Sequence, residues 1–193
     1  MAATSQRAAG DRAAAPALQL GRYLVAYDAE GYASVAYQPR PGRDWVAIEQ
    51  VTGRTIELDT ANVDQAGEPE LLLTVEYQRL GNPDQGSVRT LHVLRTGATV
   101  DSLLTVRVGC SDYHHAWEGD FSGELSDFSQ TQPVSAGYGF IRFGRVEATC
   151  EHRPPTLPCA CDSQELAEAG GAAFARAGLY RWQRGRLAWV SPR

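Results

Sequence analysis

Residues 70–79 read Glu-Leu-Leu-Leu-Thr-Val-Glu-Tyr-Gln-Arg, and this stretch decides the fold. Leu71, Leu73, Val75 and Tyr77 recur at every second position, so an extended chain places all four on one face. Downstream, the turn residues 81–86 (GNPDQG) lead into 88–96 (VRTLHVLRT) and 100–108 (VDSLLTVRV), which complete a meander of antiparallel strands. Upstream, 20–28 (LGRYLVAYD) and 32–38 (YASVAYQ) flank a hairpin-length turn at 29–31. Residues 39–42 (PRPG) then break the sheet, and two further strands, 44–51 and 54–58, are split at Thr52-Gly53.

Beyond the meander the pattern is less regular. Residues 111–133 read as a long loop or a pair of short edge strands. Residues 136–149 return to strand, with Gly137, Gly139 and Gly144 marking bulges or close backbone approach. One helix is expected at 163–177. Asp162 caps it, Glu165 closes the capping box, and Leu166, Ala169, Ala173 and Ala177 face the sheet. A hairpin around 184–186 ends the chain. The expected class is mainly β: a twisted antiparallel sheet or sandwich of about 8–10 strands with one C-terminal helix and a terminal hairpin. An Ala-rich leader, 1–18, precedes a single mainly β domain, 19–193.

At 193 residues with 43% hydrophobic and 21% charged composition, the chain has the make-up of an ordinary folded domain. No stretch approaches the length of apolar sequence a transmembrane helix needs. A net charge of −5 disfavours nucleic acid as a partner, because phosphate neutralisation needs a basic face. All 18 basic residues are arginine. Without lysine, no Schiff base or lysine general base can form.

The four cysteines, Cys110, Cys150, Cys159 and Cys161, suggest two disulfides and an oxidising compartment. A Cys159–Cys161 bond would strain the turn through Ala160, which favours Cys110 and Cys150 each bridging to one of that pair. Free buried thiols stand as an alternative, as does zinc held with His152 or the His114–His115 pair. The expected location is extracytoplasmic, periplasmic or secreted, although residues 1–16 lack the apolar core of a signal peptide.

Residues 56–77 (IELDTANVDQAGEPELLLTVEY) follow an apolar run, an acidic turn and a second apolar strand. They resemble the FG-GAP/VCBS repeat, a β-propeller blade element, with Asn62, Asp64, Gly67 and Glu70 on its pattern. The terminal stretch 179–189 (LYRWQRGRLAW) is similar to the hairpin that often closes exported proteins carrying such repeats. The resemblance implies a calcium loop using Asn62, Asp64 and Glu70, since alternating oxygen donors converge on a hard cation. Ala66 falls at the third ligand position and Asn62 replaces the first acid, which weakens that site. A single copy cannot build a propeller.

Asp112, His114, His115, Glu118, Asp120, Glu124 and Asp127 form an acidic, histidine-bearing segment with no arginine between Val108 and Ile141. Tyr113, Trp117, Phe121 and Phe128 stud the same region. The leading expectation is a non-enzymatic binding or assembly module. It would meet a protein partner or larger assembly through the 111–128 loop (Tyr113, His114, His115, Trp117 and Phe121), with the leader as a second contact. The alternative from enzyme chemistry is a metal-dependent hydrolase using His114 or His115 with Asp112, Glu118 or Asp120. An inhibitor of a secreted enzyme is a third reading. Neither a Gly-x-Ser-x-Gly elbow nor a His-Glu-x-x-His pair is present. His92 reads as a strand residue, packed or at an edge.

Overall fold

The computed structural model describes residues 17–80, 84–114, 126–151 and 173–190. Within them the chain is all strand and turn, and the strands form three antiparallel sheets. Sheet A is the meander β1 (Ala17–Leu20), β2 (Tyr23–Tyr27), β3 (Ala33–Tyr37) and β4 (Val46–Gly53). Sheet B takes β5 (Thr55–Ala61), β6 (Glu70–Leu80), β7 (Asp84–Thr96), β8 (Val100–His114), β9 (Ser126–Thr131) and β12 (Glu147–Glu151). Their spatial order is β12-β9-β8-β7-β6-β5. Sheet C is β10 (Val134–Gly137), β11 (Phe140–Phe143), β13 (Gly178–Gln183) and β14 (Arg186–Val190), in the order β10-β11-β13-β14.

Sheet B lies in the middle. Leu71, Leu73 and Val75 of β6 pack with Tyr23, Val25, Val35 and Tyr37 of sheet A in one core. Leu72, Leu91, Val93 and Val106 pack with Ile141 and Phe143 of sheet C in a second. The run Leu71-Leu72-Leu73 is buried on consecutive residues for that reason: both faces of its strand are covered. At about 25 cal/mol per Å² of apolar surface, each fully buried leucine contributes roughly 2 kcal/mol before entropy is counted.

Sheet A is also latched to sheet B by polar contacts. Arg22 Nη2 donates to the Thr96 carbonyl (3.0 Å) and Oγ1 (2.8 Å), and the Tyr23 hydroxyl meets the same Oγ1 at 2.7 Å. Between β4 and β5 the chain leaves one sheet for the next, and the Arg54 amide pairs with the Glu76 carbonyl instead of closing a hairpin.

Several expectations are corrected here. No helix occurs among the described residues. Residues 163–172 of the expected helix lie outside them, and 173–177 are irregular, with one isolated bridge from Phe174 to Arg107. The backbone groups a helix would use are taken elsewhere. Ala173 O accepts from Arg107 N (3.0 Å), and Ala175 N donates to the side chain of buried Gln132 (3.1 Å), which returns 2.7 Å to Ala175 O. The stretch 20–28 is not one strand, because Gly21 (φ +57°) turns the chain between β1 and β2. Of the 111–133 stretch, 115–125 lie outside the described residues; on either side of them β8 runs on to His114 and β9 pairs alongside it, as the edge-strand reading expects. Fourteen strands are named among the described residues, more than expected, because the folds between sheets divide runs that look continuous in sequence.

Candidate functional site

The connection from β5 to β6 leads into a buried acidic residue. Glu70 is 1% exposed, and its Oε2 accepts the backbone amides of Val63 (2.8 Å) and Asp64 (3.3 Å). Asp64 folds back on its own chain, its Oδ1 accepting from the Ala66 amide at 2.8 Å, the local turn that Asp favours. Asn62 Nδ2 spans to the Gly67 carbonyl (3.4 Å), while Asn62 O accepts from the Gly139 amide (2.8 Å) at the β10–β11 turn. Gly139 sits at φ +77°, and a Cβ there would run into the Gln65 side chain. Glycine is what lets sheet C close onto the loop.

Arg95 of β7 neutralises this cluster. Its Nη2 donates to Asp64 Oδ2 at 2.6 Å, its Nε lies 3.8 Å from Glu70 Oε1, and its guanidinium stacks 4.8 Å from the centre of the Trp182 ring. Burial still pushes the Glu70 carboxyl above its ordinary value, with the Asp64 charge adding to the shift and the Val63 and Asp64 amides opposing it.

Of the oxygens expected to hold calcium, Asn62 Oδ1 and Glu70 Oε1 have no hydrogen-bond partner among the described residues. Both Asp64 oxygens and Glu70 Oε2 are already engaged by N–H groups of the protein. Ala66 offers no side-chain oxygen, and a guanidinium occupies the approach to Asp64 and Glu70. Among the described residues no three His, Cys, Asp or Glu side chains gather as a metal site. Asn62, Asp64 and Glu70 thus stand in one loop, with Arg95 set against Asp64 and Glu70.

A cleft of about 960 Å³ opens beside this cluster, between the β3–β4 connection, the 62–70 loop and the β7–β8 turn. Arg22, which is ion-paired to Glu68, and Arg95 line it together with exposed Arg40, Arg43, Asp44 and Asp101. Sequence reasoning missed Arg95, Trp182, Arg40 and Arg43. No local spacing relates them, since they come from three different stretches of chain.

Of the residues expected to touch a partner, Tyr113 and His114 stand at an end of sheet B. Tyr113 and His114 close β8, where register pairs Tyr113 with Gln85 and Asp127, and His114 with Asp84 and Ser126. His115, Trp117, Phe121, Glu118, Asp120 and Glu124 lie outside the described residues, as do Cys159, Cys161 and His152. His92 is half-buried on β7, with Nδ1 3.3 Å from Thr105 Oγ1. Burial holds its pKa below the usual imidazole value. Cys110 on β8 packs with Val88 and Phe128, and no described cysteine is a free thiol.

No family model matches the chain, and no curated protein or solved structure matches it significantly.

Proposed function

We propose that the chain is a non-enzymatic binding or assembly module of an oxidising, extracytoplasmic compartment. It meets a protein partner through the end of the β7–β8–β9 ribbon. The observation that carries this reading is the length of that ribbon. β7 and β8 run 13 and 15 residues, whereas the strands of sheets A and C span only 4 to 8. At about 3.3 Å per residue, the two long strands carry Tyr113 and His114 away from the two main cores. A segment carried on a paired ribbon loses less conformational freedom on binding than a free one.

The disulfide state of Cys110 and Cys150 supports the compartment, since such bonds persist where thiols are not kept reduced. The likeness of 56–77 to an FG-GAP blade supports an exported origin and no metal chemistry, given the place Arg95 takes.

The test compares wild type with Tyr113→Ser/Trp117→Ser/Phe121→Ser by affinity capture and light scattering. A captured protein, or a higher oligomer, should be lost in the variant while the melting temperature is held. The same captured set and the same mass in both would overturn the reading. So would stoichiometric zinc or manganese in the purified protein, which would favour the hydrolase built on Asp112, His114, His115, Glu118 and Asp120.

A further inference from the structure

The strands and turn of the β13–β14 hairpin, together with β10 and β11, carry four charged residues, and every one is arginine: Arg142, Arg181, Arg184 and Arg186. No Asp or Glu occurs in 134–143 or 178–190, in a chain whose net charge is −5. Register fixes where these arginines stand. Arg142 is opposite Leu179, and Leu179 opposite Val190; Arg181 is opposite both Phe140 and Ala188; Arg186 is opposite Gln183. Opposed residues share a face of a sheet. Arg142, Arg181 and Arg186 therefore step diagonally across one face. The other face, with Ile141, Phe143, Tyr180 and Leu187, packs on the central sheet. All four arginines are exposed, and none has an ion-pair partner among the described residues. A hollow of about 430 Å³ at the hairpin end is lined by Gln183, Arg184, Arg186 and Ala188.

The turn itself adds a second, independent sign. Arg184 sits at φ +50° and Gly185 at φ +82°, the left-handed pair that two-residue hairpins normally fill with Asn-Gly. An arginine at the first position is conformationally costly, yet the charge stands there. The strain and the unpaired charge coincide at one place.

We propose that the outer face of sheet C is a docking surface for an extended acidic protein segment. Arginine forks take carboxylates in paired hydrogen bonds. Phe140, Leu179, Ala188 and Val190, interleaved with them in register, offer apolar area to the same segment. A short segment stays over the patch. A long polyanion, whether nucleic acid or an anionic bilayer, also meets the negatively charged remainder of the molecule within a screening length of about 8–10 Å. This face is separate from the ribbon end, so either contact can fail without the other.

The experiment uses fluorescence anisotropy of a labelled oligoglutamate peptide against the full chain at low salt. Binding is expected, weakening as salt rises, with a loss of about tenfold or more in Arg142→Gln/Arg181→Gln/Arg186→Gln. Arg184→Asn guards against a variant that fails to fold. It should raise the melting temperature, by relieving the turn, and yet weaken the peptide. Absence of binding, or an affinity unchanged in both variants, would overturn the proposal. Tighter binding of a single-stranded oligonucleotide or of phosphatidylglycerol vesicles through the same arginines would overturn it too, and would reassign the face to that class.

Discussion

At Glu70 the residue type is legible in the sequence and its arginine partner is not. The acid-rich turn is visible in sequence, and Asn62, Asp64 and Glu70 stand in one loop. Their counter-ion comes from β7, 25 residues further along, and nothing local announces it. Arg95→Met strands the carboxylates of Asp64 and Glu70, which are 7% and 1% exposed. Because Arg95 is itself partly open to solvent, the expected cost is about 2 kcal/mol, between the surface and buried limits, read by urea unfolding. Millimolar calcium should leave the wild-type melting temperature unmoved. The sign of the pH effect at Glu70 follows from burial, which raises its folded-state pKa above the ordinary 4.5. Its contribution to stability is complete below that value and is lost as pH rises through the folded-state pKa. Urea unfolding from pH 4 to 7 should show wild type losing ground to Glu70→Gln as pH rises; a constant gap would refute this.

Among elements, the alternation in β6 and the turn-bounded runs on either side were legible, because a two-residue period survives whatever the strand packs against. Boundaries between sheets were not. The 44–58 region reads as two strands with a short break, and nothing in it says that β4 and β5 belong to different sheets. Over 173–177 the expected helix is replaced for a related reason. Its alanines satisfy helix propensity, but over 173–177 the Arg107 amide and the Gln132 side chain outcompete it for backbone groups. A close fit between elements occurs at Gly139, where the β10–β11 turn meets the 62–70 loop. Gly139→Ala should cost about 1–2 kcal/mol, mainly from its positive φ. Gln65→Ala, which removes the side chain in the way, should therefore recover little of that loss.

At the scale of the molecule, three sheets stack with the longest strands in the middle, so the cysteines can be placed by topology. Cys110 on β8 and Cys150 on β12 flank β9, opposite Gln130 and Phe128 respectively. Two strand spacings, about 9.5 Å, exceed the roughly 7 Å that a disulfide can bridge, so they are not bonded to each other. A non-reducing peptide map should join the Cys110 and Cys150 peptides separately to the one holding Cys159 and Cys161; a Cys110–Cys150 peptide would sink the three-sheet arrangement. The sequence by itself determined the β class, the positions of most strands, the polar turn at 62–70 and the exclusion of a membrane-spanning helix, because each rests on neighbours a few residues apart. Only the tertiary structure decided which sheet each strand joins, that Leu71-Leu72-Leu73 is covered on both sides, that Arg95 answers the loop's carboxylates, and that Arg142, Arg181 and Arg186 share one open face. Those depend on which distant segments meet, and pairing between segments is set by the packing of whole sheets, not by the spacing of residues along a strand.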